Sequence, residues 1–480
     1  MGKIRQFQTT LACAFSYLIS AMFNVWPSYT ISEYTAQNTT VISAPMTSFE
    51  VSMVGSLPSF GAMFGTMCAG TIFDVFGRQK GGLFIAFTVL LSWILVEITT
   101  SSLVIIVARF LAGLASGGAS VHVPIFISEV AEESIRGMLG SAPMAFYCVG
   151  VLISYLCGWL LSYHQIIWVN MAICIMYVGL LLSSVESPVF LIKKNREEEA
   201  RMSIALYRGE SPDSKVVLEE LSRLKQRLQP AELVPMSEVD AEKAEKEKLE
   251  ESNENETCEN KMPMPPYKML FISPSSRRAF IVVGIAMSTQ VMMGLTPAQV
   301  YAKDIFSQAA PGLSSHMCSV MFALVLMCGS MCSVLLSDKF GRRPLLLASA
   351  IGVCVCLVSM GFLMQTNVAP PWLTACVILA FCFVFMFGAG SVPYLLLTEV
   401  FMSEVQSLAS IIIMEWMWLL SFFILGVFPL MAQYLGIPGS FYIFAGFSVI
   451  DILLAIFMLP ETKGLTKEQI QEAFLGRKQK

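Results

Sequence analysis

Two short charged turns hold the residues best placed to do chemistry: Asp74-Val75-Phe76-Gly77-Arg78 and Asp338-Lys339-Phe340-Gly341-Arg342-Arg343. The chemistry on offer is electrostatic rather than covalent. An acid four residues before a guanidinium can pair with it or with charges on a neighbouring loop. Such pairs break and re-form cheaply, because an exposed one is worth about 0–1 kcal/mol. A glycine inside each turn lets the backbone reverse sharply. Glu129, Arg136 and Glu186 accompany the first turn, and Glu399 and Glu461 the second, each at the end of an apolar run. A second set of charges lies inside apolar runs: Arg109, Glu415 and Asp451. An ionisable group in that setting is costly and marks a candidate functional site, although a carboxyl can also sit there protonated and bonded to a neighbouring helix. No Gly-x-x-x-x-Gly-Lys loop and no metal-ligand cluster is visible. The expectation is therefore no enzyme, no cofactor and no metal.

Helices that cross a membrane must position these residues. Of the 480 residues, 55% are hydrophobic and 14% charged, and the mean hydropathy is +0.66. Runs near the roughly 20 apolar residues that cross a bilayer core recur along the chain. The predicted spans are 8–31, 51–72, 82–100, 103–127, 138–163 and 165–185, then 279–302, 317–336, 345–364, 372–397, 407–432 and 441–459. The fold expected is an all-α membrane protein with twelve transmembrane helices in two pseudo-symmetric six-helix bundles. Residues 1–185 and 279–459 make the bundles, 186–278 a cytoplasmic linker, and 460–480 a cytoplasmic tail. The first span lacks a small-residue cleavage site and reads as a span rather than a signal peptide.

The basic residues set the orientation. Lys3, Arg5, Arg78, Lys80, Arg136, Lys339, Arg342, Arg343, Lys463 and Arg477 fall on one side, and Lys303 alone on the other. Positive charge stays inside, so both termini are expected in the cytoplasm. Asn38-Thr39-Thr40, a glycosylation sequon, then falls outside, whereas Asn255-Glu256-Thr257 falls inside and should stay unmodified. In the linker, 197–199, 218–224 and 227–228 read as short amphipathic helices. The stretch from about 230 to 266 is Glu-, Lys- and Pro-rich and is expected to be a disordered, solvated insertion. The thirteen cysteines, most of them inside apolar runs and none in a C-x-x-C pair, read as packing residues. Paired halves with matched charged turns are the pattern of a secondary transporter.

At several points in order the chain resembles the sugar porters of the major facilitator superfamily. The matching pieces are Gly70-x-x-x-Asp74-x-x-Gly77-Arg78, Arg109-Phe110-x-x-Gly113, Pro124 to Glu129 with Arg136-Gly137, and Glu186 to Leu191. Asp338 to Arg343 and Pro460 to Gly464 complete the set. The texture is similar to facilitated trehalose transporters. The resemblance implies the major facilitator fold. It also implies a reversible cytoplasmic latch made of Asp74, Gly77, Arg78, Glu129, Arg136, Glu186, Asp338, Gly341, Arg342, Arg343, Glu399 and Glu461. Two departures stand out, because Val75 and Gln406 occupy positions where the family has arginine. They imply a looser latch in the second half.

For the central pocket the resemblance implies Gln290, Thr296, Tyr301, Tyr394, Trp418 and Met144 as the substrate-facing positions, with Arg109 a further candidate. Several of these depart from the family. The second glutamine of the seventh span is Val291 and its asparagine is Thr296. The fifth-span glutamine is Met144, the tenth-span tryptophan and glutamate are Tyr394 and Met386, and the eleventh-span pair is Met417-Trp418. Tyr301 keeps an outer-gate tyrosine. Each lost hydrogen bond is worth about 1 kcal/mol, so the substrate differs from glucose or transport has been lost. The implied function is facilitated diffusion of a hexose or a trehalose-like sugar by alternating access. A proton-coupled sugar or polyol symporter and a non-transporting nutrient sensor stay open as alternatives. The partners implied are a small-molecule sugar and the lipid bilayer of the plasma membrane, with no nucleic acid and a monomer as the working unit.

Overall fold

The computed structural model describes residues 2–132, 134–228, 266–366 and 368–475. All regular structure among them is helical. In the first half, α1 (Gly2–Val25) and α2 (Pro27–Thr35) form one crossing, followed by α3 (Ser48–Phe76), α4 (Arg78–Ile98), α5 (Ser102–Val130), α6 (Arg136–Leu160) and α7 (Tyr163–Ser183). Three linker helices follow: α8 (Pro188–Lys193), α9 (Glu197–Arg208) and α10 (Lys215–Leu228). The second half opens with α11 (Pro266–Ile272), α12 (Pro274–Met292), α13 (Leu295–Val300) and α14 (Ala302–Ala309). It continues with α15 (Ser315–Phe340), α16 (Arg342–Thr366), α17 (Pro371–Phe387) and α18 (Val392–Glu399). It ends with α19 (Ser403–Tyr434), α20 (Gly436–Phe457) and the tail helix α21 (Lys467–Phe474). Among the described residues, twelve stretches are long and apolar enough to cross a membrane.

Many of the helices outrun the predicted spans because local capping continues past the apolar core. Thr47 and Glu50 form a capping box at the start of α3, and Ser162 and Gln165 another at the start of α7. Two spans expected to be continuous are broken instead. Gly294, at φ +86°, separates α12 from α13, and the chain unwinds over Gly388 to Ser391 between α17 and α18. Each break frees backbone polar groups at membrane depth, where they must find partners inside the protein.

Tight helix packing holds each half. In the first, α3 meets α5 so closely that a methyl group on Gly113 or Gly117 would strike the backbone of Pro58 or Ala62, the small-residue contact expected between helices in lipid. Two lateral seams join the halves: α3 lies along α19, and α6 along α15. A third junction lies at the end away from the charged turns. There the Tyr155 hydroxyl donates to the Gln299 carbonyl at 2.8 Å, and the Lys303 N–H donates to Ser28 Oγ at 3.1 Å. Lys303 Nζ also reaches Ser32 Oγ at 3.1 Å, and the Tyr301 ring packs against Gly55. Among the described residues, the hydrogen bonds between the halves lie at this end or at mid-depth in the seams. Among these residues the halves are therefore hydrogen-bonded opposite the turns and in the seams rather than at the turn face.

The linker helices share an apolar core that includes Phe190, Leu191, Ala200, Ile204, Val217 and Leu221. The Gln6 side-chain amide ties it to α1 by donating to the Tyr207 carbonyl at 2.8 Å. Most of the acidic insertion, Asn255 and Arg477 lie outside the described residues.

Candidate functional site

The two charged turns build the same cluster twice. In the first half Arg78 is 4% exposed and grips Glu129 with two N–H groups, Nε at 2.9 Å and Nη2 at 2.7 Å. Its Nη1 reaches the Phe73 carbonyl at 3.0 Å and Asp74 at 3.4 Å. Glu186 sits over the start of α4 and accepts from the backbone N–H of Arg78 at 2.8 Å and of Gln79 at 3.1 Å. Ser187 Oγ completes the set at 2.5 Å from Glu129. In the second half Arg342 Nη2 meets Glu399 at 2.7 Å, and Glu461 accepts from the N–H of Arg342 at 2.9 Å and of Arg343 at 3.2 Å. Thr462 Oγ1 donates to Glu399 at 3.0 Å. Each outer glutamate thus caps a helix N-terminus, where unpaired N–H groups and the helix dipole favour an anion.

Glycine is required at the turns themselves. Gly77 has φ +96° and Gly341 φ +88°, and a side chain on either would strike Glu186 or Glu461. Burial pushes the Glu186 carboxyl above the ordinary carboxylate range, although three backbone N–H groups and Arg78 pull it the other way.

In these contacts Arg78 with Glu129 and Glu186, and Arg342 with Glu399 and Glu461, pair inside their own half. Arg343 is used differently. Its Nε and Nη2 donate to the carbonyls of Ala455 at 2.9 Å and Ile456 at 2.7 Å, capping the C-terminal end of α20. Gln79, its equivalent in the first half, does the same for α7 through Leu181 and Ser184. Arg136 is exposed, bonds the Ala131 carbonyl at 3.2 Å, and borders a cleft of about 280 Å³ with Tyr17 and Met144. The side chain of Asp338 lies outside the described residues.

At the second departure the structure supplies a replacement. Gln406, seven residues after Glu399 as Arg136 is seven after Glu129, accepts from Lys467 Nζ at 2.8 Å. The tail helix thus delivers a cation to the place where the repeat has lost one.

Toward mid-depth, polar and aromatic groups from both halves converge. Gln290 near the end of α12 donates to the carbonyl of Gly390, freed by the break before α18, at 2.8 Å. Its Oε1 is buried without a partner, as is Trp418 Nε1. Such atoms are where a polar ligand gains most from a hydrogen bond. The Tyr394 hydroxyl contacts the Met417 sulfur at 3.2 Å and lies within electrostatic reach of Tyr17 and Tyr147 on the first half. Gln299 Nε2 contacts the Tyr147 hydroxyl at 3.4 Å across the halves. Met144 is 42% exposed, and Thr296 is half-buried in α13. Tyr301 lies apart from this set, buried at the joined end with its hydroxyl 3.2 Å from the Leu425 carbonyl.

Arg109 is 2% exposed and donates to the carbonyls of Val54 at 3.0 Å and Phe23 at 2.7 Å, with its guanidinium 3.9 Å from the Phe23 ring centre. It joins α5 to α1 and α3 rather than facing a cavity. Asp451 is buried and hydrogen-bonded to Thr289 at 2.9 Å within the second bundle, Thr289 Oγ1 also lying 3.0 Å from the carbonyls of Ile285 and Ala286 on its own helix. Glu415 is half-buried on the α3–α19 seam, hydrogen-bonded to Thr66 of the other half. Asn38 is exposed beyond α2, at the joined end.

Sequence alone does not single out Ser187, Thr462, Lys467, Tyr147, Gln299 or Thr66. A signal exists for the first two, since a hydroxyl residue follows the capping glutamate in both halves. None marks the others, whose roles depend on which helix lies opposite.

A family model described as "Sugar (and other) transporter" matches residues 4–474. The chain is 26% identical over 443 residues to a facilitated trehalose transporter Tret1 of Drosophila pseudoobscura pseudoobscura, covering 90% of this chain and 48% of that protein. It is likewise 26% identical to Tret1 of Anopheles gambiae, over 90% of this chain and 52% of that one. A Tret1-2 homolog of Drosophila simulans matches at 24% identity, over 90% of this chain and 84% of that protein. The chain spans about half the length of several of these relatives. Among solved structures, the inward-open form of the xylose transporter XylE from E. coli superposes with a TM-score of 0.75 at 18% identity, covering 98% of this chain and 99% of that one. That likeness concerns the fold.

Proposed function

Because the chain belongs to the sugar (and other) transporter family, we propose that it carries a trehalose-like disaccharide or a hexose by facilitated diffusion, the two halves rocking around a central site. The observation that carries this reading is the pairing of a polar mid-depth set with halves whose bonds, among the described residues, lie away from the turn face. Gln290, Tyr394, Tyr147 and Gln299 supply hydrogen-bonding groups from both halves. The broken helices α12–α13 and α17–α18 bring backbone groups to the same depth, as substrate sites in carriers of this architecture require. The substrate-side positions are Gln290, Thr296, Tyr394, Trp418 and Met144, with Tyr301 in the closed outer gate. The relatives named as facilitated trehalose transporters make trehalose the first sugar to test.

In this reading the turn face is cytoplasmic and the membrane is the plasma membrane. The cavity is then inward-facing. The Arg78 and Arg342 clusters are the inner latch in its disengaged form, each satisfied within its own half and ready to meet the other on closure.

The test is uptake by protein in liposomes against empty liposomes, with labelled trehalose, glucose, fructose and a polyol, each with and without an inward proton gradient. Saturable uptake of one sugar, indifferent to the gradient, is the expected result. Gradient-driven accumulation would overturn facilitated diffusion. Absence of uptake by a folded preparation would move the reading to a non-sugar solute or a nutrient sensor.

A further inference from the structure

We propose that Glu415 is a proton-binding site on the seam between the halves, and that its occupancy sets how firmly α19 holds to α3. Hydrogen accounting at Thr66 carries the inference. Its hydroxyl oxygen lies 2.9 Å from the Met63 carbonyl and 3.1 Å from the Ala62 carbonyl, and is hydrogen-bonded to Glu415 Oε1. Three oxygens therefore share one hydroxyl hydrogen. A threonine within a helix commonly gives that hydrogen to the carbonyl three or four residues back. With it so used, the contact to Glu415 needs a hydrogen from the carboxyl, so the glutamic acid donates and the threonine accepts.

The rest of the site points the same way. Glu415 Oε2 is buried with no hydrogen-bond partner. An ionised carboxylate there would have at most one neutral donor, which is costly at membrane depth. No cation among the described residues compensates. On the surrounding helices their charged side chains are Glu50 and Asp74 of α3, Lys268 of α11, Arg277 and Arg278 of α12, Glu399 of α18 and Asp451 of α20. None of them acts on Glu415, whose environment is set by burial and by Thr66.

The other seam repeats the arrangement with a different donor. Ser330 stands eight residues before Asp338, as Thr66 stands eight before Asp74. Its hydroxyl gives its hydrogen to the Met327 carbonyl at 2.8 Å, and the Cys148 thiol of the opposite half lies 3.5 Å from the same oxygen. In both seams a hydroxyl turned back on its own helix accepts from a donor on the other bundle. A thiol keeps its proton through the neutral range, whereas a carboxyl can release it. One seam is therefore titratable. When Glu415 gives its proton to water, a charge appears between the helices and Thr66 can donate to it only by withdrawing its hydrogen from its own helix, so α3 and α19 are held less firmly.

The proposal is tested without any substrate by infrared spectroscopy of the purified chain in lipid. Wild type should show the carbonyl band of a protonated carboxyl that disappears as pH is raised. Glu415→Gln should lack that one carboxyl equivalent, and Thr66→Val should shift its frequency. Asp451→Asn marks the separate contribution of the second buried acid. Identical titrations of wild type and Glu415→Gln would overturn the site, whatever the chain transports. The coupling to motion rests on the transport reading. With pH equal on both sides, uptake by wild type should vary with pH and uptake by Glu415→Gln should not. Parallel pH profiles of the two would overturn the seam as the element that responds.

Discussion

Arg78 shows what one side chain does in this protein. It is nearly fully buried, bound to Glu129 by two N–H groups, and its backbone N–H is bound by Glu186. Removing one partner of such a pair strands the other charge, at a cost of about 3–5 kcal/mol. Arg78→Ala should therefore lower the melting temperature of the purified protein sharply, and Arg78→Lys, which cannot bridge both carboxylate oxygens, should recover only part of the loss. Glu186 gives a pH signature. Its folded-state pKa is raised by burial, so the folded protein holds this proton to higher pH than the unfolded chain does. The stability it contributes is present in acid and is lost as pH rises through the raised value. Melting curves of wild type and Glu186→Gln should show the wild type losing stability relative to the variant as pH rises above the ordinary glutamate value of about 4.3. At mid-depth, Gln290→Ala removes both the bond to Gly390 and an unpaired acceptor. At about 1 kcal/mol per hydrogen bond, the concentration for half-maximal sugar uptake should rise roughly fivefold or more.

At the scale of elements, the turns and breaks direct the chain. That Gly77 and Gly341 would be turn positions was legible in the sequence, because a glycine between an acid and an arginine recurs at one place in each half. Their positive φ angles fit that reading. The breaks at Gly294 and at Gly388 to Ser391 were not legible, because apolar composition runs through both and hydropathy does not register an interrupted hydrogen-bond ladder. The bond from Lys467 to Gln406 was hidden for a different reason. The sequence shows a missing arginine, and only the return of α21 against α12 and the start of α19 shows what stands in for it. Lys467→Gln should free the tail helix, read as faster proteolysis or hydrogen exchange of α21. Adding Gln406→Glu to the native Lys467 should slow both, since the contact then joins opposite charges.

For the whole molecule, the distribution of contacts between the halves sets the balance of states. The bonds at the joined end, Tyr155 to Gln299 and Lys303 to Ser28 and Ser32, have no counterpart at the turn face among the described residues. Tyr155→Phe deletes one hydroxyl donor. At about 1 kcal/mol it should shift the population roughly fivefold toward opening at that end. A cysteine at Ser28 would report this as faster labelling by a membrane-impermeant thiol reagent, and one at Ser128 on the turn face as slower labelling. Unchanged rates at both positions would show that these bonds do not set the balance.

The sequence by itself determined the class of molecule. Twelve apolar stretches must be helices, because a lipid interior leaves backbone groups no other partners, and the two charged turns marked the repeat. It also named most members of the clusters, since Arg78 and Arg342 stand at one place in the two matched turns and the family resemblance points to Glu129 and Glu399. What only the tertiary structure decided was partnership. Arg343 faces the end of α20 rather than the latch, Arg109 is enclosed among backbone carbonyls, and Glu415 meets Thr66 across a seam. Periodicity says which face of a helix a residue occupies but not which helix lies against it. A buried charge or hydroxyl takes its role from that neighbour, through bonds a few ångströms long between residues far apart in the chain.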